Sequence, residues 1–130
     1  MRAVRGKDTK PEMAVRRILH RLGFRFRLQR RDLPGRRDIV LPRHRLVIFV
    51  HGCFWHRHSD CRKASIPKTR ADFWRAKLEA NATRDEHVAR ELVAAGWKVI
   101  VVWECQTKKP DKLIVTLLQE LATLGINPPR

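Results

Sequence analysis

The sequence has few acidic residues and no long apolar run. It contains 13 Asp and Glu against 29 Lys and Arg, which leaves a formal net charge of +16 at pH 7. No apolar run approaches the roughly 18 to 20 residues of a transmembrane helix. The first ten residues are polar and basic, without the apolar stretch of a signal peptide. The sequence therefore predicts a soluble, cytoplasmic protein with no membrane partner.

The positive charge indicates a polyanionic partner. An excess of this size repels itself in a compact state unless a polyanion offsets it, and nucleic acid is the obvious candidate. The basic residues are spread along the chain, which indicates a folded basic surface rather than a disordered tail. With 130 residues, 43% of them apolar, the chain suits one hydrophobic core. We therefore predict a single domain over residues 1–130.

Local patterns in the first half predict a helix followed by three strands. The helix begins at Thr9, which is three residues before Glu12, and ends at Gly23. Over residues 24–29 apolar residues alternate with polar ones, and most of the polar ones are basic. This is the pattern of a half-buried strand. Residues 38–41 and 45–50 then form a hairpin across a turn that begins at Pro42.

The second half predicts two helices around one apolar strand. A helical region opens at Thr69 or Asp72 and closes at Gly96, and residues 81–84 are a candidate break. Residues 98–103 are nearly all apolar, as in a central strand covered on both faces. A last helix over residues 111–124 buries four leucines: Leu113, Leu117, Leu118 and Leu121. The fold class is therefore α/β, a mixed sheet flanked by helices in the order α-β-β-β-α-β-α.

Residues 51–71 show no periodicity, and a structureless loop of roughly 20 residues is improbable in a small domain unless something holds it. The chain has three cysteines, and without an export signal these favour metal binding or catalysis over disulfides. Cys53, His58 and Cys61 have the spacing C-x4-H-x2-C, and each is a good zinc ligand type. His56 competes with His58 for this role, and three buried thiols are the alternative to a metal site.

Topology indicates the fourth ligand. Cys53 follows the strand that ends at Val50, and Cys105 follows the strand that ends at Trp103. If those strands run side by side in parallel, both cysteines leave the same edge of the sheet. The sequence thus predicts a closed structural Zn²⁺ site with no open position for water.

Asp38 is the best-placed carboxylate for a catalytic Mg²⁺, because phosphodiester hydrolysis needs hard oxygen ligands. A turn centred near residue 43 places Asp38 opposite residue 48, close to Val50 and His51. His51 and His56 flank the loop entrance, and either imidazole could deprotonate an attacking water. The alternatives are a solvated aspartate and ordinary surface or core histidines.

The remaining acidic and aromatic candidates have simpler explanations beside the functional ones. Helix capping explains Glu12, and an exposed helix face explains Asp85. Core packing is the default for Phe73. The other aromatic residues without a clear period are either core residues or wedges that insert between base pairs; they are Phe54, Trp55 and Trp74.

Four segments resemble one family, the very short patch repair (Vsr) DNA mismatch endonucleases. They are residues 5–12 (RGKDTKPE), 33–38 (LPGRRD), 49–56 (FVHGCFWH) and 102–105 (VWEC), and the resemblance covers nearly the whole chain. It implies a restriction-endonuclease-like fold with a structural zinc. It also implies cleavage of one strand 5′ to the thymine of a T:G mismatch, which arises when 5-methylcytosine deaminates.

The resemblance also implies roles for individual residues. Asp38 would bind Mg²⁺ with the backbone carbonyl of Val50, His56 would be the general base, and His58 would be the zinc ligand. The supporting residues of the site would be His51, Glu12 and Asp85. The residues that contact DNA would be the wedge of Phe54, Trp55 and Trp74, a shortened N-terminal wedge of Met1 and Val4, and Arg36, Arg37 and Asn81.

The chain departs from the family pattern at three points. The zinc loop is one residue longer between its last two ligands, so Asp60 competes in principle with Cys61. The N-terminal arm is short, and the chain stops soon after the last helix. The expected protein is a bacterial, nucleoid-associated monomer that binds duplex DNA with a T:G mismatch and works with mismatch-repair proteins. The alternatives are a nuclease of relaxed specificity and a non-catalytic, zinc-stabilised DNA-binding module.

Overall fold

The computed structural model describes residues 10–28, 39–52 and 68–129. Within these residues three helices and three strands follow the order α-β-β-α-β-α. They are helix α1 Lys10–Arg21, strand β1 Ile39–Leu41, strand β2 Leu46–His51, helix α2 Ala71–Ala94, strand β3 Lys98–Trp103 and helix α3 Pro110–Thr123. The predicted α/β class is confirmed.

The three strands form one mixed sheet in the order β1-β2-β3. Strands β1 and β2 are antiparallel and joined by a short 3₁₀ turn at Pro42–His44, as the predicted hairpin requires. The register differs by one residue from the prediction, because Ile39, and not Asp38, lies opposite Ile48. The turn holds one extra position, Arg45, in the left-handed conformation with φ of 50°. Asp38 itself lies outside the described residues.

Strands β2 and β3 run parallel, from Leu46 beside Lys98 to His51 beside Trp103. This confirms the side-by-side arrangement on which the prediction of a fourth zinc ligand depended. The prediction that residues 98–103 form the central strand is wrong for the sheet described, because β2 lies between the other two. Accordingly, the residues of β2 are almost all buried, whereas Val101 of β3 is 37% exposed.

The strand predicted over residues 24–29 is reduced, in the part the structure describes, to a single bridge. Arg27 and Val40 exchange two backbone hydrogen bonds of 2.7 Å. In an antiparallel pair, alternate residues direct their backbone groups to opposite sides. Strand β1 has three residues, so within it only Val40 faces outward. The next outward position is Pro42, which has no N–H to donate.

Helix α2 is continuous from Ala71 to Ala94, so the candidate break at residues 81–84 is wrong. That stretch contains no Gly or Pro, and residues such as Asn and Thr each cost less than about 0.7 kcal/mol relative to Ala in a helix. The predicted stop residues Gly23 and Gly96 lie two residues beyond the last residues of α1 and α2, Arg21 and Ala94. Both glycines have a positive φ, 89° and 91°, which an L side chain rarely adopts.

The sheet is covered on both faces. Helices α1 and α3 pack on one face, in a cluster that includes Leu19, Ile48 and Leu117. The C-terminal half of α2 covers the other face, where Leu92 packs with Val47. Of the four leucines predicted to be buried in α3, three are fully buried and Leu118 is half-buried.

No helix in the described ranges is both long enough and apolar enough to span a membrane.

Candidate active site

Strands β2 and β3 end together, and their last residues form an aromatic cluster around His51. The imidazole is 8% exposed. Its ring centroid lies 5.6 Å from that of Phe49 and 5.2 Å from that of Trp103, and the Trp103 ring meets it edge to face at 75°. Phe49 and His51 are two residues apart in one strand, so their side chains share a face. The Phe49 and Trp103 rings restrict the orientation of His51 at the carboxyl end of β2.

Cys105 lies two residues beyond the end of β3, in a 3₁₀ turn over Glu104–Thr107. Hydrogen bonds hold this turn: the Trp103 N–H donates to Gln106 Oε1 at 2.8 Å, and Thr107 Oγ1 donates to the Glu104 carbonyl at 2.7 Å. Cys105 is half-buried. Because β2 and β3 are parallel, Cys105 after β3 and Gly52 after β2 lie at the same end of the sheet.

Glu12 reaches the same end of the sheet from helix α1. Phe24, three residues after this helix, contacts His44 in the hairpin turn at the other end, with ring centroids 5.7 Å apart. Helix α1 also packs against the turn Glu104–Thr107. Its first turn therefore points to the carboxyl ends of β2 and β3.

The Glu12 carboxylate is buried rather than exposed at a helix start. The residue is 2% exposed, and its Oε2 atom lies 3.3 Å from Arg16 Nη1 one turn along α1. A carboxylate removed from water needs such a cationic partner. The capping explanation for Glu12 involves Thr9, which lies outside the described residues, but burial beside Arg16 is more than capping requires.

One face of α2 carries the remaining predicted residues. Residues three or four apart on a helix share a face, and Val88 and Leu92 of this face pack on the sheet. The same face continues toward the start of the helix through Asp85, Asn81, Leu78 and Trp74. Leu78 is buried and the other three are half-buried, although most of their neighbours in α2 are exposed. The explanation of Asp85 as part of an exposed face is therefore wrong.

Helix α2 is longer than the strands it covers. Its 24 residues extend about 36 Å, whereas six residues of strand extend about 20 Å. Leu92 packs beside Val47. Asp85 is about 10 Å from Leu92 along the helix, and His51 is about 13 Å from Val47 along β2. Asp85 is thus about level with His51, and the start of α2 extends past the carboxyl ends of β2 and β3.

Of the predicted site residues, the structure describes Glu12, Val50, His51, Trp74, Asn81, Asp85 and Cys105. Four of these, Glu12, Val50, His51 and Cys105, lie at the carboxyl end of the sheet, and the other three share one face of α2. Those that lie outside the described residues are Met1, Val4, Arg36, Arg37, Asp38, Cys53, Phe54, Trp55, His56, His58, Asp60 and Cys61.

Among the residues that the structure describes, no three His, Cys, Asp or Glu side chains come together as a group that could hold a metal ion. Three of the four predicted zinc ligands and the predicted magnesium ligand Asp38 are not among them. The described part contributes one thiol, Cys105, at the predicted edge. It also contributes the backbone of Val50, the last residue but one of β2.

Sequence reasoning missed the contacts of Trp103 and Phe49 with His51. The period of two in β2 could have paired Phe49 with His51, and the parallel register could have brought in Trp103. It also missed the common face of Trp74, Asn81 and Asp85, because the candidate break interrupted the helical period. The expectation that Phe73 packs in the core is wrong, since this side chain is 45% exposed.

Loss of the Trp103 ring should slow any catalysis that depends on His51, because it leaves this imidazole poorly oriented. Edge-to-face aromatic pairs contribute about 0.5–1.5 kcal/mol, so we expect Trp103→Leu to lower the turnover rate at saturating substrate roughly threefold to tenfold. Trp103→Phe keeps a ring and should retain most of the rate. Trp97→Leu removes the same ring at the opposite end of β3 and serves as the control. Equal rates for Trp103→Leu and Trp97→Leu would contradict a role in orienting His51.

The charge and the site together define a class of protein. A basic α/β domain that places a buried carboxylate and a buried histidine at one end of its sheet, beside a projecting helix, has the features of an enzyme that hydrolyses nucleic acid. The carboxylate and imidazole suit metal-assisted or acid–base chemistry. The surrounding positive charge attracts the phosphate backbone.

Comparison with known proteins identifies the family. Residues 1–63 match the family model described as DNA mismatch endonuclease Vsr. The chain is 57% identical over 106 residues to the type II nicking enzyme V.XorIIP of Xanthomonas oryzae pv. oryzae, which covers 82% of this chain and 77% of that protein. It is 42% identical over 120 residues to the DNA mismatch endonuclease Vsr of Escherichia coli, which covers 92% of this chain and 76% of that protein.

A third relative, the type II nicking enzyme V.NmeAIP of Neisseria meningitidis, is 47% identical over 108 residues, which covers 83% of this chain and 76% of that protein. The chain therefore belongs to the Vsr family of DNA mismatch endonucleases. Its activity is that of a DNA mismatch endonuclease, a hydrolase whose substrate is DNA.

Proposed function

We propose that the protein nicks one strand of a DNA duplex 5′ to the thymine of a T:G mismatch and leaves a 5′-phosphate. The observation that carries the proposal is the placement of the buried Glu12 and the buried His51 at the carboxyl end of the sheet, beside the start of α2. Relatives named as type II nicking enzymes support cutting of a single strand. A restriction-endonuclease-like arrangement of the core agrees with the mixed sheet and its flanking helices.

Asp38 is the proposed ligand of a catalytic Mg²⁺, with the backbone carbonyl of Val50. It directly precedes Ile39, which pairs with Ile48. One further step of this ladder would bring residue 38 opposite Phe49, on the face that carries His51. An aspartate and a carbonyl are the hard oxygen donors that suit Mg²⁺. When bound, the ion would offset charge on the scissile phosphate and favour ionisation of water.

The protein's own side chains have separate roles in this mechanism. His56 would accept the proton of the attacking water as the general base. His51, held between Phe49 and Trp103, and the buried Glu12 would support the site by fixing neighbouring groups. Asp85, level with His51 on α2, would do the same from the other side. Because these groups are already fixed and partly buried, they do not have to reorganise during the reaction.

A structural Zn²⁺ would hold the loop after β2. The proposed ligands are Cys53, His58, Cys61 and Cys105, and Asp60 is the competing donor to Cys61. The half-buried thiol of Cys105 in a hydrogen-bonded turn supports this proposal, because the parallel strands bring it to the edge where the loop starts. A site with four protein ligands leaves no position for water.

The proposed contacts with DNA surround this edge. Trp74, with Phe54 and Trp55, would insert between base pairs beside the mismatch. The half-buried position of Trp74 on the projecting part of α2 supports such a role. The other proposed contacts are Asn81 on the same helix face, Arg36, Arg37, and the short N-terminal wedge of Met1 and Val4.

The proposal is tested with a set of labelled duplexes that differ only in one base pair. We expect Mg²⁺-dependent nicking 5′ to the thymine of a T:G pair, and a loss of roughly fivefold to a hundredfold with T:A, because one mispaired position typically changes binding by 1–3 kcal/mol. Addition of EDTA should stop the reaction. Equal nicking of T:G and T:A duplexes would contradict T:G specificity, and binding without any cutting would favour a non-catalytic module.

A further inference from the structure

Helix α2 carries a large apolar side chain that neither the core nor the site uses. Phe73 is 45% exposed, while its neighbour Trp74 lies half-buried on the site-facing side of the helix. Consecutive residues in a helix are about 100° apart around its axis. Phe73 therefore belongs to a different face from Trp74, Asn81 and Asp85. An exposed aromatic side chain offers a large apolar face to a partner.

Arg70 stacks on the ring of Phe73. Its guanidinium carbon lies 4.3 Å from the ring centroid, and the Trp74 ring meets Phe73 edge to face, with centroids 5.3 Å apart. The stack occupies the flat face of the guanidinium and leaves its in-plane N–H donors available. A planar cation held in this way is prepared for bidentate hydrogen bonding to a phosphate.

The charge around the pair favours a polyanion. Lys68, Arg70 and Arg75 are all exposed at the start of α2. Asp72 is the acidic residue of this turn, and its carboxylate lies 3.5 Å from Arg75. The pair also lies at the start of α2, which extends past the sheet next to the end that carries His51. DNA bound at that end would run close to this surface.

We propose that Arg70 and Phe73 form a contact for the DNA backbone that is separate from the wedge containing Trp74. Arg70 donates hydrogen bonds to one phosphate, and the ring of Phe73 both orients Arg70 and packs against the adjoining deoxyribose. Contacts of this kind position a protein on the duplex without reading its sequence. The proposal depends on DNA being the substrate and is independent of T:G specificity.

The experiment measures binding of a labelled duplex by the full chain, with and without the mismatch, over a range of salt concentrations. Arg70→Ala should weaken binding about tenfold and reduce the slope of log Kd against log salt by about 0.9, the value for one phosphate contact. Phe73→Ala should weaken binding roughly twofold to fivefold, the strength of an exposed cation–π pair. Arg70→Lys keeps the charge and should lose part of the affinity.

Two controls on the same helix match these changes. Val93→Ala removes an apolar side chain that is 60% exposed, and Arg90→Ala removes an exposed arginine near the end of α2. Both should bind DNA like the unchanged protein, and the thermal melting temperature of every variant should match it.

The proposal predicts the same loss on matched and mismatched duplexes, since a backbone contact does not read bases. A loss confined to the T:G duplex would overturn it, as would losses equal to those of the controls or an unchanged salt slope for Arg70→Ala. Nicking by the unchanged protein is measured on the same duplexes. Failure of the T:G proposal would therefore appear there and not in the salt slope.

Discussion

Replacing Asp38 with asparagine should reduce the nicking rate at saturating DNA by at least about a thousandfold. The substitution keeps the size of the side chain and removes the negative charge that Mg²⁺ requires of its ligand. Zinc content and melting temperature should not change, because the proposed zinc ligands are other residues. Single-turnover nicking of a labelled T:G duplex with varied Mg²⁺ measures the effect.

Asp111→Asn is the matched control for this variant, because it makes the same change of charge at an exposed position at the start of α3. Its nicking rate should stay within about twofold of that of the unchanged protein, as expected for a surface substitution. The two candidate bases are compared in parallel, with a loss of roughly 10²–10⁴ expected for His56→Ala and a smaller one for His51→Asn. Substantial nicking by Asp38→Asn, or a larger loss for His51→Asn than for His56→Ala, would contradict the assigned roles.

Replacing Cys105 with serine should remove zinc from the protein and lower its free energy of unfolding by several kcal/mol. Structural Zn²⁺ binding contributes about 10–16 kcal/mol in small zinc modules, and loss of one thiolate weakens the site severely. We therefore expect about one zinc per chain in the unchanged protein and much less in Cys105→Ser. Elemental analysis and urea unfolding measure the two quantities.

The control for Cys105→Ser is Thr107→Val, which removes a hydrogen bond from the same turn and keeps all four proposed ligands. It should cost about 1 kcal/mol and retain zinc. Metal-free, stable and active unchanged protein would contradict the zinc proposal. So would a full complement of zinc in Cys105→Ser.

The strand and helix types were largely predictable because their local patterns are strong. The apolar run over residues 46–50 and the proline at residue 42 define the hairpin, and the apolar period and Gly23 define α1. The position of β3 in the sheet was not predictable, because an edge strand packed on both sides has the same apolar composition as a central one. Its exposure distinguishes it, since Val101 is 37% exposed and only Ile100 and Val102 of β3 are buried, and exposure depends on the tertiary structure.

Prediction of the site was limited in a different way. The prediction of Cys105 as a zinc ligand assumed parallel pairing of the strands that precede Cys53 and Cys105, and this pairing is confirmed. Burial of Glu12 and half-burial of Asp85 depend on how α1 and α2 pack, and a local pattern carries no information on packing. The exposed position of Phe73 shows the same limit, since composition alone favours the core for any phenylalanine.

The parallel pairing of β2 with β3 also has a consequence for folding. Leu46 pairs with Lys98, so a large part of the chain must close into a loop before the contact forms, and that closure costs entropy in advance. The hairpin of β1 and β2 is local and can form early. The contact of His51 with Trp103 and the approach of Cys105 to the loop after β2 must come late. During synthesis, we therefore expect the capacity to cut DNA to arise only after β3 has left the ribosome.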